Sequence, residues 1–326
     1  MVSSEETLAL FRQTIRGQTA TLPDLYALFP EWKAEIHPDY ERARDEVLNP
    51  WIERWVPNRA TSRKFRKADF GVFAAIFCVR SSFEVLCTVS KAFAWYFIWD
   101  DIFDLRYFHA VLGEEEDIPD LSYFSEELQF ALLCWNEVAD HIRHVCSKAT
   151  LKVLLDQKLY YVESVDTVDT VYSENHVPSL KQYLSRRERT AGVYPVIATI
   201  PFIYDIDVSQ QQLDGESMQL LWKRTSYLAD GQIENLIPVL MLNEGVDCNT
   251  AMKLAIMLVD EAAHGFHETE KHLRAQHDSA PHEEITEAFL EGCKNVVMGL
   301  TYWSYTGQRY FHHSEIEAGN TIRFSL

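Results

Sequence analysis

Apolar residues recur at intervals of three and four over most of this chain, and that spacing limits the possible folds more than any other feature. It is clearest from Ser125 to Asp140, from Leu151 to Val168 and from Thr250 to Gln276. This is the period of amphipathic helices, and strand signals are few. No repeat, linker or change of composition marks a boundary, so we predict one all-α domain over residues 1–326. Polar or proline-containing breaks are predicted at residues 49–51, 113–120, 174–179, 243–249 and 278–284.

Composition narrows the class of protein. The chain has 326 residues, of which 47% are hydrophobic and 13% aromatic, enough to bury a large core. Its longest apolar run, Phe70 to Val79, is far shorter than the roughly 20 residues that cross a bilayer. The first residues lack the basic start and apolar centre of a secretory signal. We therefore expect no membrane span and a cytoplasmic location.

Charge and small motifs exclude several functions. The formal net charge of −19 argues against nucleic acid as a partner. The basic stretch Arg59 to Lys67 is the local exception, and we interpret it as a solvated loop in preference to a binding patch. No glycine spacing matches a dinucleotide site or a P-loop. The six cysteines are scattered, which favours buried thiols over disulfides or a zinc site.

The stretch AFAWYFIWDDIFDLRYF, residues 92–108, places three aspartates in an aromatic run. In a helix over residues 84–104, Phe93, Phe97, Asp100 and Asp104 fall within about 60° of one another, with Asp101 on the flank. Acids at a helix C-terminus oppose the dipole and need a compensating cation. Carboxylates without His or Cys suit Mg²⁺, which commonly bridges to substrate phosphates. The pattern indicates metal-bound diphosphate beside an aromatic pocket.

The run FIWDDIFD resembles the DDxxD motif of class I terpene cyclases, and its setting is similar to the microbial, particularly fungal, sesquiterpene synthases. Near the C-terminus, TYWSYTGQRYF resembles the family's W…RY signature and gives Trp303, Arg309 and Tyr310. YLSRRERTAGVYP resembles the segment in which an arginine three residues before a threonine senses diphosphate beside a helix break. That segment assigns Arg187, with Arg186 as a substitute. The resemblance covers nearly the whole chain, and three motifs in order are specific where DDxxD alone is weak.

The resemblance implies a class I terpenoid synthase α-bundle around a central active-site cavity. It implies a carbon–oxygen lyase that ionises and cyclises an allylic isoprenoid diphosphate, farnesyl diphosphate first, to a sesquiterpene of fungal secondary metabolism. Asp100, Asp101 and Asp104 would bind Mg²⁺, three ions together with the diphosphate. A monomer or homodimer is expected. The residues assigned to substrate are Phe93, Phe97, Arg187, Trp303, Arg309 and Tyr310, with core packing as the alternative for each aromatic.

One departure from the family pattern is serious. The family carries a second metal motif of the form (N/D)DxxSxxxE shortly before an NLIPVL-like run, and here that place reads LLWKRTSYLADGQIENLIPVL. The motif is not found near Ser226 to Gly231, where only Ser226, Tyr227 and Asp230 resemble it. Either the sequence lacks a segment that the native protein has, or this is a variant that binds fewer ions. Matching flanks on both sides of an abrupt junction favour a missing segment.

Three alternatives remain open. A cyclase-fold homologue that has lost catalysis could act as a binding protein. A chain-elongating prenyltransferase shares DDxxD, although it would usually show a second such motif. Glu261-x-x-His264 has the spacing of a di-iron ligand pair, but the chain offers no second pair, and a solvent-facing helix is the simpler interpretation.

Overall fold

The computed structural model of the protein describes residue 13 and residues 15–99, 107, 111, 120–166, 178–229, 233–276 and 280–325. Over these residues the chain is almost entirely helical, as the all-α prediction requires. The helices are, in chain order, α1 Tyr40–Arg42, α2 Asn49–Trp55, α3 Arg59–Ala68, α4 Phe70–Phe77, α5 Phe83–Trp99, α6 Glu126–Val145, α7 Lys148–Asp166, α8 Leu180–Thr190, α9 Val193–Ile197, α10 Ile200–Tyr204, α11 Gln210–Leu213, α12 Glu216–Ala229, α13 Ile233–Glu244, α14 Cys248–Ala275 and α15 Ala280–Thr306.

The three strongest periodic stretches form α6, α7 and α14, as predicted. Local capping sets their starts, because a side-chain oxygen can satisfy a backbone N–H that has no partner in the first turn. The hydroxyl of Ser125 accepts from the Leu128 amide at 3.3 Å. The carboxylate of Asp247 accepts from the Thr250 amide at 3.0 Å, which places the start of α14 inside the break predicted at residues 243–249.

The break predicted at residues 49–51 is wrong. A π-helical turn, Ala43–Leu48, follows α1 and continues directly into α2. Pro50 lies in the first turn of α2, where a missing N–H costs least. Pro281 likewise lies in the first turn of α15, inside the break predicted at residues 278–284. Proline opens these helices, whereas the sequence interpretation treated it as a terminator.

The basic stretch is also not a loop. Residues 59–68 form α3, whose first turn is capped by Asn58, since its side-chain oxygen accepts from the amides of Ala60 and Thr61 at 3.0 Å. The helix ends at Asp69, which adopts the left-handed conformation with φ 50°. An aspartate tolerates that region better than most residues do. The solvated part of the prediction holds, because the cationic side chains are largely exposed.

Helix α4 lies at the centre of the main hydrophobic core. Every residue of Phe70–Phe77 is buried, which explains why this run is apolar on all sides. It packs between α5 and α15. None of the helices in the described ranges combines the length and apolarity needed to cross a membrane.

Two short strands join the beginning and the end of the described chain. Thr19–Leu22 pairs antiparallel with Ile322–Ser325. The phenol of Tyr305 reinforces the junction, since it donates to the carbonyl of Asn320 at 2.9 Å and accepts from the amide of Leu25 at 3.0 Å. The segment that follows α15, which carries the Arg-Tyr pair, is therefore held at its far end by the N-terminal region.

Candidate active site

Helix α5 leads directly into the aspartate motif. It begins at Phe83, close to the predicted start, and is described as far as Trp99. Asp100, Asp101 and Asp104 lie outside the described residues, so their role as metal ligands stays a prediction. Within the described part of the chain, no group of three or more His, Cys, Asp or Glu side chains could hold a metal ion. The candidate magnesium ligands remain those predicted from the sequence at positions 100–104, whose carboxylate oxygens suit that ion.

Residues of the C-terminal signature contact α5 at Phe97. The ring of Phe97 lies 4.8 Å from that of Trp303 and stacks on Phe70 at 5.1 Å. The guanidinium carbon of Arg309 lies 5.1 Å from the Phe97 ring centroid. Residues of the C-terminal signature, about 200 positions away in the sequence, thus contact α5 at a residue three positions before Asp100 in the chain.

Trp303 supports the ring of Phe97 from inside the core. It is completely buried, and its indole N–H donates to the carbonyl of Ala68 at the end of α3. Gly307 fits against that bond, because a Cβ placed there would lie 2.6 Å from Trp303 Nε1 and 2.9 Å from the Ala68 oxygen. The ring of Tyr310 contacts Trp303 edge-on at 5.4 Å. The close approach at Gly307 fixes where the chain leaves α15, two residues before Arg309.

Phe93 lies deeper in the core than Phe97. Its ring packs on Phe73 at 4.5 Å and on Phe77 at 5.7 Å, and it is 1% exposed. Phe97 is only partly buried. Along the described part of the predicted stripe, burial therefore decreases from Phe93 in the packed interior to the partly buried Phe97.

The second arginine segment contains the predicted helix break. Helix α8 ends at Thr190, and Gly192 adopts a left-handed conformation with φ 72° before α9 begins. A side chain is strained in that region, so glycine suits the position. Arg186 lies 5.9 Å from the ring of Tyr183 and Arg189 lies 5.2 Å from that of Tyr160. Arg187 is partly buried one turn before the break.

Glu188 is a feature that sequence reasoning missed. Its carboxylate accepts from the phenol of Tyr194 at 2.9 Å, beyond the break, and from that of Tyr227 at 3.3 Å on α12. Lys223 forms an ion pair with it at 3.1 Å, and this bond raises the pKa of Lys223. Ser226 donates to the backbone carbonyl of Glu188 at 3.4 Å. Glu188 thus links the residues on both sides of the helix break to α12. These contacts join separate helices, so the sequence alone does not reveal them.

The junction that lacks the second metal motif falls at the end of α12. That helix is described to Ala229, residues 230–232 lie outside the described ranges, and α13 begins at Ile233. Ser226 is buried against α8. Glu261 and His264, the di-iron alternative, are both exposed on α14, in agreement with the simpler interpretation of a solvent-facing helix.

A buried amine lies among aromatic rings of α5 and α6. Lys158 on α7 is 1% exposed, and its Nζ lies 3.5 Å from the ring centroid of Trp135 and 4.0 Å from that of Trp95. Tyr96 is a third neighbour at 4.5 Å. Burial lowers the pKa of Lys158 well below its usual value, since an ammonium loses its hydration there.

Solved structures with the same fold are terpene synthases. The crystal structure of a-eudesmol synthase superposes with a TM-score of 0.73, covering 84% of this chain and 97% of that one at 17% identity. A variant of cucumene synthase gives 0.69, covering 83% and 97% at 19% identity. The arrangement of helices is therefore that of the terpenoid synthases.

Sequence comparison places the chain in a family. Residues 91–264 match terpene synthase family 2, C-terminal metal binding. That match covers more than half of the chain, which therefore belongs to terpene synthase family 2. The predicted identity as a fungal-type class I terpene cyclase is confirmed, and use of a divalent metal follows from the family.

Curated relatives match over nearly the whole length. Terpene cyclase braA of Annulohypoxylon truncatum is 22% identical, covering 96% of this chain and 91% of its own. The (+)-eremophilene synthase of Gibberella fujikuroi is 25% identical over 90% and 88%, and germacrene A synthase of Nostoc punctiforme is 24% identical over 90% and 97%. The first match extends over 351 positions, more than the 326 residues present here. That relative therefore contains residues without a counterpart in this chain.

Proposed function

We propose that the protein ionises and cyclises an allylic isoprenoid diphosphate, farnesyl diphosphate before geranyl or geranylgeranyl diphosphate, and releases diphosphate and a sesquiterpene. One catalytic domain over residues 1–326 carries the reaction, as a monomer or homodimer. The observation that carries the proposal is the convergence of Trp303 and Arg309 on Phe97, three positions before Asp100. Relatives named as sesquiterpene synthases or cyclases support the choice of substrate.

Asp100, with Asp101 and Asp104, would hold Mg²⁺. An Mg²⁺ ion, when bound, withdraws charge from the leaving diphosphate. The carboxylates supply hard oxygen donors and follow directly on α5, whose described part is anchored in the core by Phe93.

Arg187, Arg309 and Tyr310 would bind the diphosphate itself. A guanidinium presents planar donors that can hold two oxygens at once, and a phenol adds one more. Arg309 would exchange its contact with the Phe97 ring for the diphosphate. An exposed cation–π contact contributes about 0.5–1 kcal/mol, whereas a hydrogen bond to a charged group contributes about 1.5–3 kcal/mol. Diphosphate therefore draws the guanidinium away and uncovers the ring.

The uncovered ring of Phe97 would then face the cation that ionisation leaves behind. Its negative face stabilises a nearby positive charge by about 0.5–2 kcal/mol. Closure of the Arg309 segment over the site excludes water, which would otherwise capture the cation. Trp303 acts here as the backing of Phe97, because it is buried and bonded to Ala68.

The junction after Ala229 bears on how many ions the protein holds. The abrupt junction between flanks that resemble the family on both sides supports a missing segment. With that segment, three ions are expected; without it, fewer ions and weaker turnover are expected. A cyclase-fold binding protein is the second candidate, favoured by the absence of the second motif from the sequence.

The test is incubation of the purified chain with each of the three diphosphates and Mg²⁺. Products are extracted and identified by gas chromatography with mass spectrometry, and released diphosphate is measured separately. Cyclic C15 hydrocarbons from farnesyl diphosphate support the proposal. Tight binding of magnesium and diphosphate without any product identifies the binding protein, and no binding at all contradicts both candidates.

A further inference from the structure

Helix α3 carries concentrated positive charge on a strongly acidic chain. Its sequence, RATSRKFRKA, contains no acid, while the whole chain has a net charge of −19. Arg66 pairs with Glu53 at 2.7 Å. The other cations are exposed, and within the described ranges no carboxylate lies at ion-pair distance from them. These four are Arg59, Arg63, Lys64 and Lys67.

The fold does not require this charge. Arg59, Arg63 and Lys67 are spaced four apart, so they form one stripe along the helix. Like charges at that spacing each cost a few tenths of a kcal/mol, about 0.2–0.5. The packing of α3 depends on its other face, where Ser62 and Ala68 are buried. The stripe is a local cost that packing does not explain.

The C-terminal end of the stripe lies beside the candidate active site. The carbonyl of Ala68, next to Lys67, accepts from the indole of Trp303. Phe70, three residues after Lys67, stacks on Phe97 at 5.1 Å. The Phe97 ring in turn carries Arg309. A line of exposed cations thus leads along α3 to the segment assigned to diphosphate.

We propose that α3 is an electrostatic guide that raises the rate at which the diphosphate end of the substrate reaches Arg309 and the aspartate motif. This inference rests on the proposed function. A chain of net charge −19 repels a multiply charged anion, and a basic strip about 15 Å long that ends at the contact between Ala68 and Trp303 offsets this locally. At about 0.1 M salt the Debye length is about 10 Å, so the strip acts over distances comparable to its own length.

The charge fits a small anion better than a membrane surface. Helices that lie on membranes bury an apolar face in the lipid. The buried face of α3 is packed against the protein, and Phe65 contacts Phe70 at 6.3 Å. In the described part of the chain, none of the large exposed hydrophobic side chains lies on α3.

The test measures how fast magnesium diphosphate associates with the intact chain, followed by tryptophan fluorescence in a stopped-flow instrument. Arg63→Gln with Lys67→Gln is compared with the parent at low and high salt. The control, Lys33→Gln with Lys253→Gln, removes the same charge from exposed positions outside α3. We expect the α3 variant to associate about three- to tenfold more slowly at low salt, with an unchanged dissociation rate, and to match the parent at high salt. The control variant should associate at the same rate as the parent at both salt concentrations.

Position along the helix gives a second comparison. Arg59→Gln should slow association less than Lys67→Gln, because Arg59 is about 12 Å farther from the site along the axis. If magnesium diphosphate still binds but all variants have equal association rates and equal salt dependence, the proposal is overturned. Loss of binding to anionic vesicles in the α3 variant, with unchanged association of magnesium diphosphate, also overturns it and assigns the helix to a lipid surface. A parent that fails to bind magnesium diphosphate overturns the proposed function as well.

Discussion

The guanidinium of Arg309 lies over the ring of Phe97, with Cζ 5.1 Å from the centroid. Arg309 follows α15 and is exposed, whereas Phe97 is partly buried on α5. The contact ties the C-terminal Arg-Tyr pair to the last described turn of α5. Under the proposed function, Arg309 exchanges this contact for the diphosphate.

We expect Arg309→Lys to lower turnover and to raise the share of acyclic or hydroxylated products. Lysine offers a point charge and cannot hold two oxygens in one plane, so closure is looser and water enters. Product profiles from farnesyl diphosphate measure this. Hydrogen exchange of residues 305–312 should become slower only when Mg²⁺ and diphosphate are both present. Unchanged exchange together with a parental product profile would show that the arginine is structural.

Asp100→Asn should abolish diphosphate release and leave the helical circular dichroism unchanged, because the amide is isosteric with the carboxylate but lacks its charge. Asp260→Asn is the matched control, since Asp260 is an exposed helical aspartate on α14. Its turnover should equal that of the parent. Parental turnover of farnesyl diphosphate by Asp100→Asn would show the metal assignment to be wrong.

The encoding gene or the native protein should contain additional residues after Ala229. They should include an Asn or Asp, a Ser and a Glu spaced four apart, because that spacing places three ligands on one helical face. The intact mass of the native protein is the direct measurement. A value equal to 37.8 kDa refutes a missing segment for that preparation and favours a variant with fewer ions.

Gly307→Ala should destabilise the protein by about 1–3 kcal/mol, the usual cost of overpacking a filled site. The new Cβ would meet Trp303 Nε1 at 2.6 Å and so disturb the bond to Ala68. Gly215→Ala is the control, because its Cβ meets only the Gln212 carbonyl, at 3.2 Å. Urea unfolding of both variants gives the comparison. Equal loss of stability in the two would show that the close approach at Gly307 is not required.

Lys158→Met should flatten the pH dependence of stability. The folded state holds the pKa of Lys158 well below its unfolded value, near 10.4, so the unfolded chain binds more protons between the two. The free energy of unfolding therefore rises with pH in that window, by up to about 1.4 kcal/mol per pH unit. Lys152→Met, at an exposed position on the same helix, should keep the parental slope. Urea unfolding at pH 7, 8 and 9 measures it, and identical slopes in parent and Lys158→Met would contradict the prediction.

Periodicity predicted the helices well because burial of one face determines most of them. The bounds of α6, α7 and α14 follow from apolar spacing and from the caps at Ser125 and Asp247. Charge was misleading at α3, where a strongly basic composition suggested a loop although Asn58 could cap a helix. A local pattern also could not predict the π-helical turn that carries the chain past Pro50.

The candidate site divides in the same way. Arg309 and Trp303 were assigned to the candidate site through their motif, and the helix break beside Arg187 was predicted correctly. The contacts that support these residues were not predicted, because they join parts of the chain that are far apart in the sequence. The indole of Trp303 bonds to a carbonyl 235 residues away, and Glu188 meets Tyr227 from another helix. The rings around Lys158 likewise come from two other helices, α5 and α6, that sequence spacing does not relate to α7.

The antiparallel pair of Thr19–Leu22 and Ile322–Ser325 has a consequence for biosynthesis. The second strand is synthesised after every other described element, and about 300 residues separate it from its partner. A contact of such long sequence separation must wait until both strands have been made. The segment bearing Arg309 precedes this strand, so it is tethered at its far end only once synthesis has passed residue 325. We therefore expect nascent chains to form the helical bundle before the segment that bears Arg309 is fastened.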